Sequence, residues 1–354
     1  MLKKLIISIL MATLVCTLGI STVQASQFRF AVNPITPDNQ VDTTKSYFDL
    51  KMDPGQSQTI EVELRNDSDE EVEVGIEIAP ASTNLNGVVE YGLNDIIPDE
   101  SLRYNLTDLV EVEDSIILPK ESTTVLRLAI QMPDTAFDGL IAGGITFKEI
   151  DDSDVETEEE QGMTIKNEYS YVVALLLRQN LNEVSPTLDL TNVEAGQVNA
   201  RNVINATFRN EASAYLNQLR LINQVTKENE TDVLYASDQE SMQVAPNSQF
   251  TYPISLNGER LEPGTYHFTS TAYGIKSDEG EYEVENEAGE IDTYMYKWEF
   301  DQTFEITAEV ARTLNAADVT IEDDITWMYI VGGIVFLLIG LLLLLIYRKK
   351  KNKE

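Results

Sequence analysis

The sequence predicts an all-β protein with two antiparallel immunoglobulin-like β-sandwich domains and a C-terminal transmembrane helix. Apolar and polar residues alternate along many short segments, as at Ile60, Val62 and Leu64. Such alternation is typical of half-buried strands with one face in solvent. No window between residues 26 and 315 shows a long helical period, so we expect turns rather than crossover helices between the strands. An uncharged apolar stretch near the C-terminus predicts the membrane helix.

The N-terminal residues 1–25 have the features of a secretory signal peptide. Lys3 and Lys4 precede an apolar run over residues 5–20, and Val-Gln-Ala at residues 23–25 offers a small-residue cleavage site. Cys16, the only cysteine of the chain, lies within this segment. The mature protein is therefore expected to contain no disulfide and to depend on apolar cores for its stability.

The first sandwich is predicted over residues 26–154. The alternation of apolar and polar residues recurs at Val72, Val74 and Ile76. Pro-Gly-Gln-Ser at residues 54–57 leads directly into a strand, and proline pre-sets the backbone angle that such a turn needs. Strands and turns of this kind are typical of a sandwich.

The second sandwich is predicted over residues 155–312. An acidic run over residues 151–160 cannot be buried and marks the linker, so we place the boundary near residue 155. The apolar strand that follows, over residues 171–177, either completes the first domain or starts the second. Phe-Arg-Asn at residues 208–210 echoes Leu-Arg-Asn at residues 64–66, which indicates two sandwiches of related plan.

The C-terminal segments predict attachment to a membrane. Residues 313–325 are expected to form a short stalk, and residues 326–347 to form the transmembrane helix. About 20 apolar residues at roughly 1.5 Å each cover a hydrocarbon core of roughly 30 Å. Trp327 and Tyr347 flank this segment as interfacial aromatics, and the basic tail at residues 348–354 marks the cytoplasmic side. We therefore expect a single-pass protein of the cell membrane with its N-terminal ectodomain outside and its C-terminus in the cytoplasm.

The charge of the predicted ectodomain is strongly negative. Of the 25 Lys and Arg residues, two lie in the signal peptide and five in the tail, which leaves 18. Of the 60 Asp and Glu residues, only Glu354 lies in the tail, which leaves 59 and a net charge of −41. Contact with nucleic acid phosphates needs the opposite sign, so nucleic acid is excluded as a partner.

The chain offers few candidates for catalysis or metal binding. His267 is the only histidine, and no motif places a serine or cysteine nucleophile near it. We therefore predict a protein that is not an enzyme and has no cofactor or metal, although paired carboxylates for glycoside hydrolysis stay open from the sequence alone. Asp67, Asp69 and Glu70, and the acidic residues at 151–154, could supply oxygen ligands to calcium. They lack the spacing of a helix-loop-helix site, so solvated loops are the preferred interpretation.

Short motifs in both predicted domains resemble those of a known family. In the first domain they are Phe-Ala-Val-Asn-Pro-Ile at residues 30–35, Asn-Gln at 39–40, Tyr-Phe-Asp-Leu at 47–50, Pro-Gly-Gln at 54–56, Ala-Ser-Thr-Asn-Leu-Asn-Gly at 81–87, Tyr91, Phe-Asp-Gly at 137–139, Gly-Gly-Ile at 143–145 and Phe147. In the second domain they are Phe-Arg-Asn at 208–210, Ala-Pro-Asn-Ser at 245–248 and Trp-Glu-Phe at 298–300. With these motifs the chain resembles the WxL-interacting proteins of the Gram-positive cell surface.

The resemblance implies a peptidoglycan-binding domain followed by a host-binding domain. It implies three partners, namely peptidoglycan, WxL-domain surface proteins and host extracellular-matrix proteins. Trp298 and Trp327 are followed at two residues by Phe300 and Tyr329 rather than by leucine. The chain therefore lacks the Trp-x-Leu motif itself and is expected to be a partner of proteins that carry it.

The candidate ligand-binding residues are six polar residues in turn-rich segments of the first domain, namely Asn39, Gln40, Thr83, Asn84, Asn86 and Tyr91. Amides together with a tyrosine suit the recognition of a glycan or a stem peptide by hydrogen bonds and stacking. The competing interpretation is that the side chains of Asn84 and Asn86 hydrogen-bond the backbone of their own turn. The same alternative applies to Asn39 and Gln40.

Two other functions compete with wall binding. One is a calcium-dependent adhesin in which the acidic loops order on the metal. The other is a strand-donating assembly factor for surface complexes, which requires an exposed and unpaired edge strand.

Overall fold

The computed structural model describes residues 29–150, 169–321 and 331–342. The first two ranges form two β-sandwiches, and residues 331–342 are helical. The predicted signal peptide, the acidic linker at 151–160, the basic tail and both ends of the predicted membrane segment lie outside the described residues. Within the described part of the chain, no helix has the length and apolar character needed to span a membrane.

The first sandwich is built from two facing sheets and a small hairpin. In chain order its elements are β1 (Phe30–Ile35), β2 (Phe48–Lys51), β3 (Ser57–Asn66), β4 (Val72–Pro80), β5 (Ser82–Thr83), β6 (Val89–Glu90), a 3₁₀ helix (Leu106–Asp108), β7 (Val110–Glu111), β8 (Ser115–Leu118), β9 (Ser122–Gln131), β10 (Ile141–Glu149) and β11 (Ser170–Arg178). One sheet has the order β1-β3-β9-β7 and the other β2-β11-β10-β4-β8, while β5 pairs with β6.

The core of the first sandwich confirms the predicted alternation. Ile60, Val62 and Leu64 point inward from β3 and are fully buried, whereas the residues between them reach solvent. Phe48 from β2 and Phe147 from β10 are the bulkiest fully buried side chains of this core. Burial of each such side chain contributes about 1.5–3 kcal/mol, so apolar packing stabilises the sandwich without disulfides.

Strand β11 belongs to the first sandwich. It pairs antiparallel with β10 and parallel with β2, so it is a central strand of the five-stranded sheet. Leu175 and Leu177 face the core, and Leu176 on the opposite face is also buried. Burial on both faces explains why this strand is apolar throughout. The first sandwich therefore extends to residue 178, rather than ending near residue 155 as placed from the sequence.

The second sandwich pairs a three-stranded sheet with a five-stranded sheet. Its elements are β12 (Asp189–Val198), β13 (Arg201–Asn210), β14 (Leu216–Lys227), β15 (Val233–Val244), β16 (Ser248–Ser255), β17 (Gly264–Lys276), β18 (Tyr282–Glu285), β19 (Ile291–Ile306) and helix α1 (Ala308–Ala317). The sheet orders are β12-β13-β16 and β15-β14-β17-β19-β18. Phe208 packs against Phe250 and Phe300, with ring centroids 5.8 and 5.5 Å apart, at the centre of the core.

The two Arg-Asn motifs serve the same structural purpose in both sandwiches. Asn66 is buried and its Nδ2 donates to the carbonyl oxygen of Leu118 at 3.1 Å, just before a proline turn. Asn210 is also buried, and its Nδ2 donates to the carbonyl oxygen of Ala245 at 3.1 Å, again just before a proline turn. A buried carbonyl needs a hydrogen-bond donor, and a single asparagine supplies it in each domain. The predicted similarity of plan is therefore visible in the hydrogen bonding.

The segment directly after β19 is a folded helix that packs against the second sandwich. Thr307 caps helix α1 through its side chain, which accepts from the Val310 backbone N–H. Asn315 Oδ1 accepts from the Leu261 backbone N–H at 2.9 Å. Residues 313–317 of the predicted stalk over residues 313–325 thus belong to helix α1, and the Asp318 carboxylate accepts from the Asn202 backbone N–H at 2.7 Å.

Candidate functional site

The two sandwiches are joined by a buried apolar contact. Ala81, Ala142 and Leu176 of the first sandwich pack with Ala245 of the second. Small side chains on the outer face of the first sandwich allow the second domain to approach closely. The two domains therefore share a continuous packed junction, which we call the interdomain junction.

Thr83 and Tyr91, two of the predicted ligand residues, lie in the interdomain junction. Thr83 Oγ1 accepts from the Ala245 backbone N–H at 2.9 Å and lies 3.1 Å from Ser248 Oγ. The hydroxyls of Tyr91 and Tyr215 lie 3.0 Å apart, and burial raises the pKa of both. Both tyrosines therefore remain neutral and share a hydrogen bond. The hydroxyls of Thr83 and Tyr91 hold the two domains together.

The glycines of the resemblance motifs also serve the interdomain junction. Gly139 has a φ of +85°, and a Cβ built on it would lie 2.2 Å from the Ser213 carbonyl oxygen of the second sandwich. That same carbonyl accepts from the Leu140 backbone N–H at 2.8 Å. Within the first sandwich, a Cβ on Gly144 would lie 2.5 Å from the carbonyl oxygen of Tyr91, whose hydroxyl reaches Tyr215 of the second sandwich. Only glycine permits these backbone approaches.

Asn84 and Asn86 lie in one tight turn between β5 and β6. Asn84 Oδ1 accepts from the backbone N–H groups of Asn86 at 2.9 Å and Val88 at 3.1 Å. Its Nδ2 donates to Glu90 Oε1 at 2.7 Å, and the Asn86 side chain is exposed. An asparagine that hydrogen-bonds its own turn is a common structural device. Both ends of the Asn84 carboxamide are thus used in hydrogen bonds within the hairpin, while the Asn86 side chain is exposed to solvent.

Asn39 and Gln40 support the loop before β2. The carboxamides of Asn39 and Gln58 exchange hydrogen bonds of 2.9 and 2.8 Å. Gln40 is buried; its Oε1 accepts from the Asp49 backbone N–H at 3.0 Å, and its Nε2 donates to the Tyr47 carbonyl oxygen at 2.9 Å. The side chains of Asn39 and Gln40 therefore stabilise this loop by hydrogen bonds within the first sandwich. The structure does not bring the six predicted residues together in one open site.

An open groove of about 830 Å³ lies at one edge of the first sandwich. Its walls come from β4, β7, β9 and the segment around the 3₁₀ helix, and the accessible side chains of Ile78, Leu93 and Val112 give them apolar surface. Four acidic side chains also line the groove, namely Glu77, Asp108, Glu111 and Asp114. Its lining, all of it within the described residues, contains no lysine, arginine or histidine.

The chemistry of this groove favours a ligand that donates hydrogen bonds. Carboxylates accept from hydroxyl and amine groups, and apolar walls contact the carbon faces of a sugar or peptide. An anionic ligand would meet like charge at short range. The sequence did not reveal this groove, because Glu77 on β4 lies far along the chain from the segment that contains Asp108 and Glu111, and all of these residues look like ordinary solvated carboxylates. No local pattern signals such a convergence.

The single histidine and two of the acidic residues considered as calcium ligands contact neighbouring charged side chains. His267 Nε2 lies 2.8 Å from Asp301 Oδ1 on the exposed face of the second sandwich. Among residues 29–150, 169–321 and 331–342, no group of three His, Cys, Asp or Glu residues could hold a metal. Asp67 pairs with Arg65 at 2.9 Å, and Glu70 pairs with Arg29 at 3.1 Å. The acidic residues at 151–154 lie outside the described residues.

Comparisons with solved structures return fimbrial chaperones at low similarity. A chaperone–tip adhesin complex of CFA/I fimbriae is 14% identical, covers 75% of this chain and 99% of its own, and has a TM-score of 0.29. The class 5 fimbriae chaperone CfaA is 15% identical over 75% and 98%, with a TM-score of 0.26. The E. coli chaperone DraB is 14% identical over 73% and 94%, with a TM-score of 0.25. Such TM-scores support no conclusion about this chain, and no curated protein matches it.

Two family models match nearly all of the two sandwiches. Residues 30–149 match the WxL Interacting Protein peptidoglycan binding domain, and residues 160–316 match the WxL Interacting Protein host binding domain. Both are binding domains rather than enzymes. The second match begins before β11, although that strand is part of the first sandwich. With both domains present and in this order, the chain belongs to the WxL-interacting protein family.

Proposed function

We propose that this protein is a non-enzymatic surface protein that binds peptidoglycan through the acidic groove of its first sandwich. Residues 326–347 attach it to the cell membrane, with the sandwiches outside and the basic tail in the cytoplasm. The second sandwich contacts WxL-domain surface proteins and host extracellular-matrix proteins. Both sandwiches are immunoglobulin-like, an assignment supported by their facing, mainly antiparallel sheets.

The observation that carries this proposal is the groove itself. It lies within the range matched by the peptidoglycan binding domain, and its lining combines apolar walls with four carboxylates. Peptidoglycan offers many hydroxyl and amide donors and has extended chains that can lie in an open groove. The net charge of −41 disfavours long-range attraction to anionic wall polymers. At a Debye length of about 8 Å, contacts within the groove can still dominate.

The test needs the full-length chain rather than an isolated first domain. A fragment that ends at residue 150 would lack β11, a central strand between β2 and β10. Its failure to bind would then report unfolding. We would therefore measure co-sedimentation of the full-length protein, in detergent, with insoluble peptidoglycan stripped of teichoic acid, across a salt series and with chelator.

Substitutions in the groove test whether binding to peptidoglycan depends on it. We expect Glu77→Gln with Glu111→Gln to weaken sedimentation, because each removes a charged acceptor from an exposed groove wall. The matched control is Glu281→Gln with Glu283→Gln, two exposed residues at β18 in the second sandwich. Binding that survives salt and chelator but falls in the groove variant supports the proposal. Loss with chelator alone would favour a cation-bridged adhesin, and equal binding by both variants would refute the groove.

The assembly-factor alternative has one structural observation in its favour. Strand β12 pairs only with β13 among the described strands, so its other edge is free for an added strand. Hydrogen–deuterium exchange in the presence of a purified WxL-domain protein tests this idea. Protection of residues 189–198 would support strand addition, and unchanged exchange in these residues would refute the assembly-factor alternative.

A further inference from the structure

A second cavity, of about 190 Å³, lies at the interdomain junction and opens to solvent. Ala81, Leu93 and Ile97 give it apolar walls from the first sandwich, and Gln249 on β16 lines it from the second. A protein cavity of about 150 Å³ is known to hold one benzene molecule. The junction cavity is therefore large enough for a single six-membered ring.

Two carboxamides at this cavity are available to a ligand. Asn105 Oδ1 accepts from the Thr107 backbone N–H at 3.1 Å, but its Nδ2 donates to none of the described residues. The Gln249 carboxamide likewise forms no hydrogen bond within the described parts of the chain. Asn94 and Asn247, in the same lining, use both ends of their carboxamides internally. One free amide from each sandwich thus borders an apolar cavity.

We propose that this cavity binds an N-acetylated amino sugar, whose acetamido group lies between Asn105 and Gln249. The inference rests on the proposed binding of peptidoglycan and specifies the part of that polymer which is recognised. An acetamido group has a methyl that needs an apolar wall and an amide that needs polar partners. Asn105 Nδ2 donates to its carbonyl oxygen, and the Gln249 carboxamide accepts from its N–H.

The position of the cavity fits a polymeric ligand. Leu93 lines both the cavity and the acidic groove, so the two are neighbours on the surface of the first sandwich. A sugar held in the cavity would direct the rest of a glycan strand towards the groove. Alanyl units of a stem peptide carry the same methyl and amide chemistry without a ring, and the cavity volume favours the sugar. Gln249 makes the second sandwich a contributor to the wall-sugar site.

Saturation-transfer NMR on the full-length protein tests this inference with defined probes. The probes are a tetramer of N-acetylglucosamine, the corresponding tetramer of glucose, which is uncharged and has a hydroxyl in place of each acetamido group, and a free alanine-containing stem peptide. The variants are Gln249→Met, which removes the free amide, and Asn105→Asp, which keeps the oxygen that caps the 3₁₀ helix. The control is Gln239→Met, an exposed glutamine on β15 outside the cavity.

We expect saturation to reach the acetyl methyl protons of the N-acetylglucosamine tetramer and to be much weaker on the glucose tetramer. Each cavity variant should weaken binding about fivefold, as expected for one neutral hydrogen bond, and the control should not. Equal binding of the glucose tetramer, unaffected variants, or a response to the stem peptide alone would overturn the sugar assignment. If the N-acetylglucosamine tetramer does not bind while the protein still sediments with peptidoglycan, this inference fails and the proposed function stands.

Discussion

Thr83→Val tests whether the interdomain junction stabilises the molecule. Valine has the shape of threonine but no hydroxyl, so the apolar packing is kept. The change removes the acceptor of the Ala245 backbone N–H, a bond of 2.9 Å at a fully buried residue. An unsatisfied buried donor costs about 1–3 kcal/mol. Loss of the contact with Ser248 Oγ adds to this cost.

The expected readout is a lower unfolding midpoint of the full-length protein, followed by circular dichroism. For domains of about 150–250 residues, 1 kcal/mol corresponds to about 2–4 °C, so a cost of about 2 kcal/mol lowers the midpoint by about 4–8 °C. Thr191→Val is the matched control, since its Oγ1 donates to the Thr207 carbonyl oxygen at an exposed position. That change should cost less than about 0.5 kcal/mol. Equal midpoints for the two variants would refute the reasoning.

Two further predictions concern a backbone contact and a buried carboxylate. Gly139→Ala should destabilise the protein by about 2 kcal/mol or more in urea unfolding, because its Cβ would collide with the Ser213 carbonyl oxygen. The control is Gly289→Ala, where φ is similar, at +79° against +85°, but a Cβ would have no neighbour closer than 3.7 Å. This control should cost only about 1 kcal/mol. Equal effects of the two substitutions would contradict a steric role of Gly139 in the junction. The pKa of Asp318 lies below its usual value, chiefly because the Thr320 hydroxyl donates to it. Its contribution to stability is therefore present at neutral pH and lost as the pH falls below about 4. Asp318→Asn should flatten the pH dependence of the unfolding midpoint between pH 5 and 2, and an unchanged slope would show that this carboxylate is not coupled to folding.

Much of the fold follows from local patterns in the sequence. The alternation at Ile60, Val62 and Leu64 predicts which side chains are buried, because successive residues of a strand point to opposite faces. The repeated Arg-Asn motif also predicts related domains, and Asn66 and Asn210 do make equivalent hydrogen bonds. Strand β11 was ambiguous, since an apolar run does not show which sheet it joins.

The sequence predicted much less about the candidate sites than about the fold. Thr83, Asn84 and Tyr91 lie in a polar segment of short strands and turns. Their partners could not be read from that segment, and a hydroxyl bonded to another domain looks the same in sequence as one that awaits a ligand. The acidic groove and the junction cavity collect residues from several strands, so no motif of fixed spacing describes them.

The sequence by itself determined the class of secondary structure, the buried faces of the strands and the similarity of the two domains, because these depend on neighbours a few residues apart. Only the tertiary structure decided what the polar residues contact. Thr83 and Ser248 are separated by 165 positions, yet their hydroxyl oxygens lie 3.1 Å apart. Such pairings arise from the packing of one sandwich against the other, a contact that no local pattern encodes.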